Sequence, residues 1–193
     1  LAGLGLSYGG ATTEEDVVGL IFADQGIDLS KISGDIKIVS YLQGYGDTTT
    51  DEINAAIQAA PEAFISVGMA TTFFTQQLNA AGIEFSDIDS FTKSNGEAIT
   101  NGKLVYLAGK YSSSVGPAFA LVMNAINGNV IRDAQGNAVS LSQNYQVATD
   151  SETFDKFYKN DNGDNPIYSR DTLDQIIGDT VTFDTINEVV ASN

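Results

Sequence analysis

The chain has 193 residues, 42% of them hydrophobic, which is enough to build a packed core and is not typical of a disordered segment. Its 25 acidic and 9 basic residues give a net charge of −16, which repels phosphate backbones and anionic membranes. We therefore expect no nucleic-acid partner. Histidine and cysteine are both absent, so the commonest general base, disulfides and cysteine metal sites are excluded. We expect no cofactor, no bound metal and no enzymatic activity.

The first 128 residues alternate between strand-like and helix-like segments. Apolar and β-branched runs predict strands at 2–8, 36–42, 63–67 and 104–108, and at the end of the ambiguous segment 83–91. Helices are predicted from the capping boxes Thr12–Glu15 and Thr49–Glu52, at 70–81 with Gly82 as its end, and at 115–126. This alternation predicts an α/β fold, a three-layer Rossmann-like lobe with a mainly parallel five-stranded sheet.

One apolar stripe in this region is especially regular. It comprises Val115, Ala118, Phe119, Val122, Met123 and Ile126, ended by Gly128. Apolar residues at this spacing lie on one side of a helix, which makes this the clearest helical pattern in the chain.

The pattern changes after about residue 128. A turn is predicted at 132–137 and an extended segment at 138–148. Short helices are predicted near 151–158, 170–177 and 184–191, and the polar segment 160–166 is predicted to be a loop. We predict that residues 129–193 form a separate C-terminal tail.

The segment GLGLSYGG at residues 3–10 is one position away from the dinucleotide fingerprint G-x-G-x-x-G, because Tyr8 occupies the third glycine position. The predicted helix after it begins with the three acidic residues Glu14-Glu15-Asp16. Acidic side chains favour the helix dipole but oppose a bound phosphate. We therefore interpret the segment as a strand-to-helix corner that serves another ligand.

Loops that follow parallel strands meet at one edge of the sheet, where open α/β folds bind ligands. In this chain they contain tyrosine, glycine and hydrogen-bonding side chains, a mix that suits a sugar. Polar loops at this edge are also common to parallel α/β proteins in general. The predicted ligand-binding residues are Tyr8, Gln43, Tyr45, Gly68, Met69, Phe91, Thr92, Lys110 and Tyr111.

Acidic residues elsewhere have two interpretations each. Asp161 and Asp164 in NDNGDNP offer oxygen ligands for calcium, but the glycine is misplaced and no glutamate closes the loop, which favours an Asx-rich turn. The clusters Glu14–Asp16 and Asp87/Asp89 are candidate paired catalytic carboxylates, although helix capping and surface charge explain them more simply.

The order of segments resembles type I periplasmic solute-binding proteins of the sugar type. Residues 61–91, PEAFISVGMATTFFTQQLNAAGIEFSDIDSF, resemble the family's proline-ended helix, buried strand and helix closing in Ala-Gly. The segment NGKLVYLAGKYSSSVGPAFALVMNAINGN resembles the next strand–helix unit. The segments SLSQNYQVATDSETFDKFY, NPIYSRDTLDQIIG and TFDTINEVV are similar to the family's C-terminal tails.

This resemblance implies one lobe of a two-lobed protein that binds a small, sugar-like solute and delivers it to the permease subunits of an ABC importer. Residues 1–128 would be the ligand-binding C-terminal lobe, and residues 129–193 a hinge-crossing strand and tail. The N-terminal lobe would be missing from this chain. The full-length protein would be periplasmic or a cell-surface lipoprotein, and a homodimer is a further expectation.

The sequence departs from the family at positions that often contact pentose or hexose ligands. Asp16 stands in place of an arginine, Val67-Gly68 in place of Asn-Asp, Thr92 in place of an aspartate and Lys110 in place of a glutamine. The usual sugar contacts are therefore not carried over. An extracellular ligand-sensing module that contacts a receptor protein is the alternative function.

Overall fold

A computed structural model describes residues 39–40, 42, 49–109, 112–162 and 166–192. The strand predicted at 2–8 and the helix start at Thr12 lie outside these residues, as does most of the strand predicted at 36–42. No helix in the described ranges is long and apolar enough to cross a membrane.

The described residues form an α/β fold with four strands and eight helices. The strands are β1 (Phe64–Ser66), β2 (Phe85–Ile88), β3 (Leu104–Gly109) and β4 (Gln146–Ala148). The helices are α1 (Thr50–Gln58), α2 (Ala70–Phe73), α3 (Thr75–Ala81), α4 (Lys93–Thr100), α5 (Gly116–Ile126), α6 (Ser151–Asn162), α7 (Arg170–Gln175) and α8 (Phe183–Ala191). A 3₁₀ helix, Ser112–Val115, precedes α5.

The sheet has the strand order β1-β2-β3-β4. Strands β2 and β3 are parallel, with Ile88 opposite Ala108, whereas β4 runs antiparallel to β3, with Ala148 opposite Leu107. The α/β class is therefore confirmed. Within the described ranges the sheet is four-stranded and mixed, not five-stranded and mainly parallel, because the extended tail segment contributes the antiparallel strand β4.

The chain divides into two compact units, Leu1–Phe64 with Thr72–Ile83, and Ile65–Thr71 with Glu84–Asn193. In the first unit, the capping box at the start of α1 is confirmed. The hydroxyl of Thr49 accepts from the Glu52 amide, and the Glu52 carboxylate accepts from the Thr49 amide at 2.6 Å. The backbone hydrogen bond from Thr49 lowers the pKa of Glu52.

The helix predicted at 70–81 is interrupted at Phe74, so that α2 and α3 replace a single helix. The Phe74 ring is buried and lies 5.4 Å, centroid to centroid, from the Phe64 ring. Gly82 ends α3 in the left-handed conformation, as predicted.

In the second unit, the tail packs against α5. Ala120, Ile176, Ile186 and Val190 form a buried cluster. Gly116 lies so close to the tail that a Cβ there would be 2.7 Å from Cβ of Tyr168. Small residues on α5 therefore allow the tail to approach it closely.

The helix predicted from the apolar stripe is confirmed as α5, but the stripe is not the side that the tail covers. Val115, Phe119, Val122 and Ile126 are exposed, with Ile126 at 71%. The buried residues of α5 are Gly116, Pro117, Ala120 and Asn124. Hydrophobic spacing predicted the helix but not the side that the tail covers, because small residues permit closer packing there than bulky ones.

The tail otherwise follows the predicted order of elements. The turn at 132–137 is confirmed, with the Asp133 carboxylate accepting from the amides of Gln135 and Asn137. Helix α6 continues to Asn162, further than predicted. Phe154 and Phe157 of α6 pack on Phe91, and such tertiary packing is the main source of helix stability in proteins.

Asn124 holds the segment after α7 through two hydrogen bonds. Its side chain is fully buried, donates to the Ile176 carbonyl at 2.8 Å and accepts from the Gly178 amide at 2.8 Å. Both backbone groups thus have a partner away from water.

We expect Asn124→Ala to lower the free energy of unfolding by about 1–3 kcal/mol, because it leaves buried backbone groups without partners. Urea denaturation measures this effect. Asn127→Ala is the matched control, since Asn127 is exposed at the end of the same helix. Equal losses in the two variants would contradict the assignment.

Candidate functional site

We call the candidate site the carboxyl edge. It comprises the turn after β1 (residues 67–71), Asp87 on β2, the turn after β2 (residues 89–92), residues 93–95 at the start of α4, and Gly109 at the end of β3.

Asp87, on β2, holds the turn after β1. The Asp87 side chain is fully buried, and its two oxygens accept from the Gly68 amide at 3.0 Å and the Ala70 amide at 2.9 Å. Burial raises the pKa of the Asp87 carboxyl, and the hydrogen bonds from Ala70, Gly68 and Ser66 oppose that rise. These hydrogen bonds favour the ionised carboxylate, whereas burial favours the neutral carboxyl and is the larger effect.

The turn that Asp87 holds has an unusual backbone. Gly68 has a φ of 95° and Met69 a φ of 65°, so two consecutive residues lie in the left-handed region. For methionine this conformation costs about 1–2 kcal/mol. The hydrogen bonds to Asp87 on either side of Met69 compensate for that strain.

Asn95, on α4, connects the two turns. Its side chain is fully buried and accepts from the Thr71 hydroxyl at 2.6 Å. Its amide group donates to the Asp89 carboxylate at 3.2 Å and to the Ser90 carbonyl at 2.8 Å. One side chain therefore bonds to the turn after β1 and the turn after β2.

Gly109 brings the end of β3 against the second turn. A Cβ at Gly109 would overlap the carbonyl oxygen of Asp89 and lie 3.2 Å from the Phe91 ring. Only glycine permits this approach. The Phe91 ring is buried, with its centroid 5.6 Å from Phe154 and 5.4 Å from Phe157, both on α6.

The exposed part of the edge is polar. Ser90, Thr92, Lys93 and Ser94 are exposed where α4 begins. The Thr92 hydroxyl caps α4 by accepting from the Asn95 amide at 3.2 Å and lies 3.0 Å from the Ser94 hydroxyl. These groups can form hydrogen bonds with a hydroxyl-bearing solute.

The structure brings four of the predicted site residues to the carboxyl edge: Gly68, Met69, Phe91 and Thr92. Thr92 is exposed, Gly68 and Met69 are half-buried, and Phe91 is buried in the aromatic cluster with α6. The other five lie outside the described residues: Tyr8, Gln43, Tyr45, Lys110 and Tyr111.

Sequence reasoning missed Asp87 and Asn95 as the organising residues of this edge. The interpretation of Asp87 as surface charge is wrong, because its side chain is fully buried. The available signal was the strand FSDI, in which Asp87 shares a face with the buried Phe85. Asn95 gave no such signal, since a single asparagine in a polar helix start is ordinary.

Nowhere in the described ranges are three or more acidic, histidine or cysteine residues grouped to hold a metal ion. The calcium alternative at Asp161 and Asp164 falls outside them, because Asp164 and the Asp161 side chain are not described.

Comparisons with protein-family models, curated proteins and solved structures give no match to this chain.

Asp87→Asn tests the effect of burial on this carboxyl. Because the folded state raises the pKa of Asp87, it binds the proton more tightly than the unfolded state does. The stability that Asp87 contributes is therefore present below its ordinary pKa and is lost as the pH rises through the raised value. Asparagine does not titrate in this range.

We expect the wild type's free energy of unfolding, minus that of Asp87→Asn, to decrease as the pH rises from about 4 towards neutrality. Urea denaturation at a series of pH values measures this difference. Asp171→Asn, at an exposed position on α7, is the control. A difference that grows with pH would show that the hydrogen bonds to Asp87 outweigh its burial.

Proposed function

We propose that this chain is a solute-binding lobe of an ABC importer, binding a small, sugar-like molecule at the carboxyl edge. The finer fold is part of the proposal. It is a Rossmann-like lobe over residues 1–128, followed by a hinge-crossing strand and a tail over residues 129–193. The missing N-terminal lobe would close over the ligand from the other side.

One observation carries this proposal: buried side chains fix the turns of the carboxyl edge while its hydroxyl groups remain exposed. Asp87 and Asn95 have no exposure, whereas Ser90, Thr92 and Ser94 are exposed. A site whose backbone is set before binding loses less entropy when the ligand arrives. Small-solute sites on α/β sheets are built in this manner, with a few oriented polar groups at the strand ends.

The residue types favour a binding protein over an enzyme. The chain has no histidine and no cysteine. Asp87, the most buried carboxylate of the edge, has both oxygens engaged by backbone amides, which suits a structural role. A carboxylate that works as a nucleophile or general base needs an oxygen facing its substrate.

The proposed transport function implies the partners of the protein and its location. A binding lobe of this kind docks on ABC permease subunits outside the cytoplasm, after closure of the two lobes over the solute. The net charge of −16 agrees with these partners because it disfavours binding to nucleic acid.

A thermal-shift screen of the full-length protein against sugars, nucleosides and small acids tests the proposal. A solute that binds the folded state raises the melting temperature by mass action. We expect a sugar to give the shift. If no solute of any class shifts the melting temperature, the result would favour the alternative function, a module that binds a protein receptor.

For the solute that gives the shift, we expect Thr92→Ala to weaken binding, because the Thr92 hydroxyl lies at the exposed part of the edge. Loss of the helix cap also costs about 1 kcal/mol of stability. Thr182→Ala is the matched control, since Thr182 caps α8 in the same way, at 3.2 Å from the Thr185 amide nitrogen. Calorimetric titration measures both affinities.

Unchanged affinity in Thr92→Ala, or an equal loss in Thr182→Ala, would remove Thr92 from the site. The combined alanine variant at Tyr8, Thr92 and Lys110 extends the test to the predicted residues on other strand ends. If that variant binds as tightly as the wild type, the ligand lies elsewhere.

A further inference from the structure

The two turns of the carboxyl edge lie about 20 residues apart in the chain and are joined through the buried side chains of Asp87 and Asn95. Asp87 bonds to Gly68 and Ala70, which are 19 and 17 residues away. The Thr71 hydroxyl bonds to Asn95, 24 residues away, at 2.6 Å. Each of these hydrogen bonds therefore links the segment after β1 to the segment that includes β2 and α4.

Asn95 is bonded on both of its polar atoms. Its oxygen accepts from Thr71, and its nitrogen donates to Asp89 and Ser90. A buried amide in this position has no water with which to replace a lost partner. Movement of the turn after β1 therefore leaves the Asn95 oxygen unsatisfied, while movement of the turn after β2 leaves its nitrogen unsatisfied.

The Asn95 network also fixes the orientation of the amide. Its nitrogen faces a carboxylate and a carbonyl, which are both acceptors, so its oxygen must face the hydroxyl of Thr71. Thr71 can donate to that oxygen. A reversed amide would place its oxygen against two acceptors, so only one arrangement satisfies all the groups.

We propose that Asn95 is a positioning residue that couples the two turns through Thr71, so that they open and close together as one unit. A solute that contacts the turn after β2 then also stabilises the strained turn at Gly68 and Met69. This inference rests on the proposed function only where it calls the two turns a ligand-binding site. The coupling itself is a property of the chain without ligand.

Thr71→Val removes the hydroxyl bonded to Asn95 and keeps a β-branched side chain of nearly the same shape. Hydrogen–deuterium exchange of the full-length protein without ligand, followed on peptides covering 66–71 and 89–96, measures the opening of the two turns. Loss of one buried hydrogen bond is expected to speed exchange in both peptides about fivefold. Thr71→Ser retains the hydroxyl and is expected to restore slow exchange.

Two controls separate coupling from general destabilisation. Thr72→Val makes the same change at the adjacent exposed residue and is expected to alter neither peptide. The peptide covering α8 is expected to exchange at the wild-type rate in Thr71→Val, because local opening leaves distant helices protected.

Faster exchange in 66–71 alone would show that the two turns open independently and would overturn the proposal. Equal acceleration in α8 would overturn it too, since Thr71 would then act on global stability. Neither result depends on the ligand screen, so failure of the coupling and failure of the proposed binding function are distinguishable.

Discussion

A carboxylate removed from water costs several kcal/mol unless donors replace its hydration. In this chain the donors at Asp87 are the backbone amides of Gly68 and Ala70, one for each oxygen. These hydrogen bonds stabilise the turn as well as the carboxyl. The two amides belong to a turn whose left-handed residues are strained and would otherwise be poorly held. The position of the turn after β1, and through Asn95 that of the turn after β2, depends on this buried carboxyl.

Rigid support and exposed polar groups are separated in this edge. Buried Asp87, Asn95 and Gly109 determine where the backbone lies, while the exposed hydroxyls of Ser90, Thr92 and Ser94 face outwards. In the proposed solute-binding role, this division assigns support of the backbone and contact with the solute to different residues.

Local signals predicted much of this fold, and tertiary contacts decided the rest. The Thr49 capping box, the glycine end at Gly82 and the apolar runs of β1 and β3 act within a few residues, so they are readable from sequence. The site was readable only in part, since Gly68, Met69 and Thr92 follow strands. The buried side of α5 could not be read from the sequence, because Gly116 and Asn124 matter only against the distant tail. Asp87 and Asn95 were missed for the same reason, as each bonds to the turn after β1, which lies 17 to 24 residues earlier in the chain.

The hydrogen bonds of Asn124 also constrain how the chain is made. Its partners are 52 and 54 residues further along, and the apolar cluster around Ala120 closes only with Ile176, Ile186 and Val190. At ordinary rates of synthesis this interval corresponds to roughly 3–10 seconds. During that time α5 leaves the ribosome with a polar amide and an apolar surface that have no native partner. The buried side of α5 is therefore completed only after Ile186 and Val190, near the end of the chain, have been synthesised.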